Sequence, residues 1–400
     1  MIITNTNLRY RRCLILSQMV IITFIVMILC SIAMNDSRSL DYTNVTDYID
    51  INYNKYNISH NDNGNSHNTI NYDSEKYIGD VLIPGFIIVG AQKCGTTSLF
   101  KYLMQHPQIA EIKGNDNSSH SDLETKELRY FNGNVTQDTF TTYLKHFVTK
   151  QDVSNLVANN TKIRPVLTGE ASPGYMFSPE VASKIKHWLP HVKIIMLLRS
   201  PADRALSHFH HWKSISKKNI TDSLFSNITA WEMKVINNCT TSNYDSIFNT
   251  SDVFHMTNNT DINAYQRFLL CHKKHTSRTN LRYNSWVSQL ITRGLYVPQV
   301  LPYVKHFPKQ QLLVLRSEDL YDDTVSVMNL VTKFLGVQTI DWSPIVDKKY
   351  NFGVKNKVYI SGAQEHVSSH STIDPTIHDT INNFAKPFNT HLHDLVGVTW

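Results

Sequence analysis

The sequence predicts an α/β domain with a parallel β-sheet flanked by helices, preceded by a single N-terminal transmembrane helix and a disordered stem. Three observations carry this reading. Phe86-Ile87-Ile88-Val89 and the KIIMLL run at 193–198 are short, wholly apolar segments of the kind that form strands buried on both faces. Each is followed by a turn and then by apolar residues at helical spacing, the alternation that builds a parallel sheet. Residues 13–34 form an uncharged apolar stretch that, at about 1.5 Å per residue, spans a hydrocarbon core of roughly 30 Å.

The N-terminal elements follow from charge and composition. Arg9, Arg11 and Arg12 precede the apolar stretch while Asn35 and Asp36 follow it, so the positive-inside bias places a short tail, 1–12, in the cytosol. Everything beyond Met34 then lies in the lumen, a type II single-pass topology. Ser31 and Ala33 offer a cleavage site for the alternative of a signal peptide, which leaves the bulk of the chain on the same side. Residues 35–80 are rich in Asn, Asp, Tyr and Ser without periodicity and bury too little apolar surface to fold alone, so they read as a stem. The folded domain is expected over 81–400. With 41% hydrophobic and 18% charged residues, the 400-residue chain is neither collagen-like nor wholly disordered. Its formal charge of +6 is too diluted to identify a partner by itself.

Two residue classes agree with a lumenal location. Asn-X-Ser/Thr acceptor sites occur at Asn44, Asn57, Asn117, Asn134, Asn159, Asn219, Asn227, Asn238, Asn249 and Asn258. Of the five cysteines, Cys13 and Cys30 lie in the apolar span and Cys94 in a glycine turn, which leaves Cys239 and Cys271 as the expected disulfide in an oxidising compartment.

Within the domain, the segment 81–90 opens with a buried strand, and Thr97 to His106 carries Leu99, Tyr102 and Leu103 at helical spacing before Pro107 stops it. Phe140, Tyr143, Leu144 and Phe147 mark an amphipathic helix. Ser178-Pro179 opens a helix with Val181, Ile185 and Trp188 on one face; the strand 193–198 follows, and Ser200-Pro201 caps the next helix. A strand over 311–315 and a helix over 324–335 complete the core. The sequon-rich segment from about Lys213 to Asn263 reads as a surface excursion between core elements.

The turn Gly90-Ala91-Gln92-Lys93-Cys94-Gly95-Thr96-Thr97-Ser98 sits between a buried strand and a helix, where backbone N–H groups and the positive helix end bind phosphate. It is P-loop-like in length, but Lys93 lies inside the loop and Thr, not Lys, follows the second glycine. A kinase or ATPase, the competing enzyme reading, would want a carboxylate for magnesium on a nearby strand. The strand 193–198 instead runs into Arg199, a cation suited to neutralising an additional phosphate directly.

These paired segments, GAQKCGTTSL and LRSPADRALS, resemble the membrane-bound carbohydrate sulfotransferases of the Golgi, which use 3′-phosphoadenosine 5′-phosphosulfate (PAPS). The resemblance covers roughly residues 83–400. GEASPGYM (169–176), GLYVPQVLPYVKHFPKQQLLVLRSEDL (294–320) and FAKPFNTHLHDLVG (384–397) look most like the branch that 6-O-sulfates N-acetylgalactosamine 4-sulfate in chondroitin and dermatan sulfate. Cys239 and Cys271 also fall where that branch has cysteines. Heparan sulfate O-sulfotransferases share the plan, with Lys where this chain has Ala171.

What the resemblance implies is a direct transfer without a required metal. Lys93, with Cys94, Gly95, Thr96, Thr97 and Ser98, binds the 5′-phosphosulfate, and Arg199 with Ser207 binds the 3′-phosphate. Glu127, in KELRYF, matches the glutamate of a Lys-Glu-Pro-His-type segment and is the expected general base, with Leu128 and Arg129 departing from that pattern. Lys355 or Lys357 matches a lysine-bearing loop that closes over the nucleotide. Arg204 is assigned equally to phosphate or to a structural contact. His208, His210 and His211 read as local helix-surface histidines and Cys94 as a small packed turn residue. The runs Lys213 to Lys218 and His272 to Arg282 are solvated faces or the lining of a groove for a sulfated glycosaminoglycan acceptor. No nucleic-acid partner is expected, and a homodimer is allowed. From a different class comes an inactive lumenal glycan-binding relative, against which the joint retention of Lys93, Glu127, Arg199 and Ser207 argues.

Overall fold

The computed structural model describes residues 76–113, 126–159, 162–163, 167–216, 220–240, 260–277, 289–346 and 376–400, all within one unit, Gly64–Trp400. The chain opens with a two-stranded antiparallel ribbon, β1 (Tyr77–Ile78) and β2 (Val81–Leu82), and then enters the central sheet at β3 (Phe86–Gly90). There follow α1 (Thr96–Gln105), β4 (Ile109–Ala110), α2 (Gln137–Leu144), α3 (Lys150–Ala158), β5 (Leu167–Ala171), α4 (Val181–Trp188), β6 (Lys193–Leu198) and α5 (Pro201–Ile215). The second half comprises α6 (Ser223–Thr240), α7 (Thr260–Ser277), α8 (Val297–His306), β7 (Leu312–Arg316), α9 (Ser317–Asp322), α10 (Thr324–Leu335) and α11 (Ser343–Val346), closing with α12 (Thr376–Asn389) and α13 (Leu392–Val396).

The sheet order is β4-β5-β3-β6-β7, and every neighbouring pair is parallel. Because β3 is the first of the five in the chain yet lies in the middle, the connections leave it in both directions, and the crevice beyond its C-terminal end is the place where such sheets bind ligands. All five β3 residues are buried, which explains the unbroken apolar run: both faces are covered by helices. Gly169 of β5 lies so close to β3 that a Cβ there would stand 2.4 Å from the Phe86 carbonyl oxygen.

The expected strand at Phe86–Val89 is β3, and Pro84 and Gly85 separate it from Val81–Leu82 of the ribbon. The segment after Lys213 is not only a surface excursion. Helix α6 buries Phe225, Ile228, Val235 and Ile236 in a second apolar cluster with Phe209 of α5, Phe268 of α7 and Phe388 of α12. A disulfide joins Cys239 to Cys271 and so ties α6 to α7. Among the described residues no helix is long and apolar enough to cross a membrane; the expected tail, anchor and stem lie outside them, apart from 76–80.

Candidate active site

Two turns leave the C-terminal edge of adjacent strands. The first follows β3. Its lysine, Lys93, has a left-handed backbone (φ 71°), a conformation that a long side chain adopts only when its surroundings impose it. Gly95, at φ 87°, precedes α1, and a Cβ there would meet the Tyr321 hydroxyl at 2.7 Å, so both backbone angle and space demand glycine. No side chain caps α1, and its N-terminal end faces the turn. Cys94 is fully buried, 3.8 Å from the Tyr296 hydroxyl, and burial pushes its thiol up to about 11, which leaves it un-ionised and unreactive.

The second turn follows β6. Arg199 is 8% exposed, and the Tyr296 hydroxyl donates to its carbonyl oxygen at 2.7 Å while accepting from its N–H at 3.3 Å. Ser200 N–H donates to Glu318 Oε1 at 2.9 Å, and Asn382 Oδ1 accepts from Ala202 N–H at 3.1 Å. The two turns are locked together by Ser317: its buried hydroxyl lies 2.6 Å from the carbonyl oxygen of Cys94 and 2.9 Å from that of Leu198.

Desolvation, followed by the charges of Arg199 and Arg204, lowers Lys93 from 10.5 to about 8. Neither the Lys93 ammonium nor the Arg199 guanidinium has a hydrogen-bonded partner among the described residues. A half-buried lysine and a buried arginine that repel each other beside a helix N-terminus are a site that wants anions.

Glu127 lies within electrostatic range of Lys93, on which its charge acts in the opposite sense to the two arginines. Its two oxygens are held differently. Lys126, 2% exposed, donates from Nζ to Oε1 at 2.9 Å; Arg129 donates from Nη2 at 2.7 Å and Nε at 3.2 Å to Oε2. Burial opposes the charged carboxylate, yet Lys126 and Arg129 together keep it below the usual range. Beneath the pair, the fully buried Glu170 accepts from Tyr143 at 2.9 Å, Tyr175 at 3.1 Å and Ser172 at 2.7 Å, and burial raises it to about 7. Ser172 Oγ also accepts from Arg129 N–H at 3.0 Å, which fixes the backbone of the Glu127 segment to β5.

Helix α5 carries the rest. Arg204, Ser207, His208 and His211 recur at intervals of three and four and therefore share one side of it. Arg204 is fully buried and its Nη2 donates to the Leu290 carbonyl, which makes it a structural residue. The reading of the three histidines as surface groups is corrected. His208 is buried within 3.5 Å of Arg204 Nη1, and His210 is half-buried. His211 is half-buried too; desolvation and then the charge of Lys93 lower it to about 4, and Glu127 opposes them, so its ring feels both predicted transfer groups. The signal for His211 was present in its position four residues after Ser207, one turn further along the same side.

A sulfotransferase-domain family profile matches residues 84–374. The chain belongs to the sulfotransferase family. It is thus an enzyme of the transferase class, and the family's general sulfuryl donor is PAPS. The chain is similar to the membrane-associated sulfotransferase kil1 of Dictyostelium discoideum, 26% identical over 348 residues, covering 79% of this chain and 66% of that protein. It is also similar to the bifunctional heparan sulfate N-deacetylase/N-sulfotransferase 4 of Mus musculus, 25% identical over 255 residues, covering 64% of this chain and 22% of that protein. It therefore spans just under two-thirds of the first relative and about a fifth of the second. A sulfotransferase from Alicyclobacillus acidocaldarius aligns in structure with a TM-score of 0.46 at 22% identity, covering 80% of this chain and 98% of that one.

For this sulfotransferase, the residues present fit such a donor: Lys93 and the N-terminal end of α1 lie on one turn, and Arg199 lies on the next. Ser207 is half-buried on α5. Lys355 and Lys357 lie outside the described residues, as do Asn44, Asn57, Asn117, Asn219, Asn249 and Asn258. Asn134, Asn159, Asn227 and Asn238 are exposed. Of the two basic runs, Lys213 pairs with Asp222 at 2.6 Å, and His272 is buried beside Glu232, while Lys273 and Lys274 are exposed.

Proposed function

We propose that the protein transfers a sulfuryl group from PAPS to a hydroxyl of a glycosaminoglycan sugar. The observation that carries this reading is the joint setting of Lys93, Arg199, Glu127 and His211: two cations on adjacent turns, without a hydrogen-bonded partner among the described residues, with a carboxylate and a neutral imidazole within electrostatic range of Lys93. When bound, PAPS supplies the sulfuryl group, whose sulfur takes the acceptor oxygen as the bridging oxygen departs on 3′-phosphoadenosine 5′-phosphate. Lys93 and the N-terminal end of α1 hold the 5′ side and neutralise the charge that grows on the departing oxygen. Arg199 and Ser207 hold the 3′-phosphate. Glu127 accepts the proton of the acceptor hydroxyl, and His211, uncharged above about pH 4, orients that hydroxyl between Glu127 and Lys93.

For the acceptor, the sequence segments around 169–176, 294–320 and 384–397 favour 6-O-sulfation of N-acetylgalactosamine 4-sulfate in chondroitin or dermatan sulfate. A heparan sulfate acceptor is the second reading, favoured by the similarity to heparan sulfate N-deacetylase/N-sulfotransferases. An anchored, type II placement in the Golgi membrane, with the domain lumenal, accords with the apolar stretch at 13–34 and with the membrane-associated relative. The test is incubation of the full-length protein with radiolabelled PAPS and a panel of chondroitin, dermatan and heparan sulfates. Transfer abolished by Glu127→Gln, with binding of 3′-phosphoadenosine 5′-phosphate intact, supports the reading. No transfer to any acceptor despite that binding would leave a glycan-binding relative.

A further inference from the structure

The carboxylate of Glu127 is clamped by two cations of opposite accessibility. Lys126, on Oε1, is 3% exposed in its side chain and is braced 3.5 Å from the Ala171 carbonyl oxygen. Arg129, on Oε2, has a side chain 69% exposed, although its backbone is anchored through Ser172 and held at φ 51°. One oxygen is therefore held from inside the protein, and the other by a guanidinium whose stem is fixed and whose tip is in solvent. Both Arg129 N–H groups donate to Oε2, which orients the carboxylate and fills the two acceptor sites of that oxygen, so Oε2 cannot take a proton while the pair holds. An exposed ion pair of this kind contributes little net stability, so an incoming anion can take the guanidinium at small cost.

We infer that Arg129 is a specificity residue that leaves Glu127 Oε2 for an anionic group of the acceptor, a sulfate or a uronate carboxylate next to the reacting hydroxyl, and thereby frees the base only when such an acceptor is bound. This rests on the reading of Glu127 as the base. The guanidinium fork matches sulfate and carboxylate as it matches Glu127, so one set of donors serves both states. Lys126 does not move in this exchange; it keeps Oε1 fixed and the carboxylate ionised. The balance at the carboxylate supports an anion, because Glu127 is already matched by the buried Lys126, which leaves Arg129 as the surplus cation. A neutral sugar presents nothing to draw Arg129 away.

The experiment compares kcat/KM at saturating PAPS for chondroitin, dermatan and heparan sulfates and for their desulfated, carboxyl-reduced counterparts, in wild type, Arg129→Gln and Arg129→Lys. Wild type should prefer the anionic acceptors. Arg129→Gln should lose about tenfold or more on them, the worth of a charge-assisted bond, while transfer to the neutral counterparts holds or rises. Arg129→Lys, which keeps the charge, should retain part of the preference. Unchanged affinity for 3′-phosphoadenosine 5′-phosphate shows that the variants are folded. Equal losses of Arg129→Gln on both acceptor classes, no loss on either, or a wild type that does not prefer anionic acceptors overturns the inference. Glu127→Gln separates the two readings: if it remains active the base assignment falls, whereas an inactive Glu127→Gln with an Arg129→Gln that loses equally on both acceptor classes, or on neither, removes the latch alone.

Discussion

The hydroxyl of Ser317 lies 2.6 Å from the carbonyl oxygen of Cys94, across 223 residues of sequence, and 2.9 Å from that of Leu198. One buried side chain therefore sets the spacing between the turn that carries Lys93 and the strand end that carries Arg199. Removing it takes away the one donor that the two carbonyls share and leaves both turns free to shift. Ser317→Ala should weaken binding of 3′-phosphoadenosine 5′-phosphate by roughly tenfold, with about 1–2 kcal/mol lost in stability. Calorimetry should show a smaller loss for a nucleotide lacking the 3′-phosphate, because such a ligand does not span the two turns.

Lys93 is expected to be costly to the free protein and necessary to the reaction. Its folded pKa of about 8 lies below the unfolded 10.5, so the unfolded chain binds more protons between these values and stability rises with pH across that window. Lys93→Met removes the penalty of a charged, desolvated amine. At pH 7 it should raise Tm by a few degrees, for a change on the order of 2–3 kcal/mol, and the difference from wild type should vanish by about pH 10.5. Sulfuryl transfer should fall by roughly a hundredfold or more. A lower Tm at pH 7 would contradict the electrostatic account.

His211 should act as a neutral group. Burial and Lys93 hold it at about 4, so a limb in the pH–rate profile between 5 and 7 does not belong to it. His211→Ala should lower kcat by about tenfold to a hundredfold. His211→Asn, which keeps an uncharged hydrogen-bonding group, should recover part of the loss, and neither should move the acidic limb. A limb that disappears with His211 would show that it titrates in that range.

Glu170 should give the fold a pH dependence of its own. Burial raises its folded pKa from 4.5 to about 7, so the protonated form is the one the folded state favours. That contribution is complete below about 4.5 and is lost as pH rises through about 7, up to about 3 kcal/mol in the limit. Glu170→Gln, close in shape to the protonated acid, should match wild type at pH 5 and lose less stability than wild type between pH 5 and 8. Denaturant melts at those pH values decide it. A wild-type stability that rises over this range would reverse the assignment.

Most of the core was legible because its signals are local. Val325 to Leu335 shows helical spacing from within its own dozen residues, and α10 spans Thr324–Leu335; β6 is the KIIMLL run itself. Helix α6 was harder to read. Phe225, Ile228, Val235 and Ile236 do recur on one side, but Asn227 lies among them and Asn237 and Asn238 follow directly, which gives the segment the polarity of a loop. Its apolar side has value only against α5, α7 and α12; the expected Cys239–Cys271 pair brings α7 near, but nothing in the sequence does so for α5 and α12.

The candidate site divides in the same way. The sequence by itself determined the two turns, because a phosphate-binding turn is a strand end, a glycine and a helix start within ten residues, and Lys93 and Arg199 stand inside those units. Only the tertiary structure decided what those turns face. It set Ser317 between them, drew the Tyr296 hydroxyl onto Arg199, buried Arg204 against Leu290, and brought His211 within electrostatic range of Glu127 and Lys93. It also gave Glu127 an inner partner and an outer one. Each of these depends on burial and on distances between residues far apart in the chain, and neither quantity exists until the sheet has been assembled.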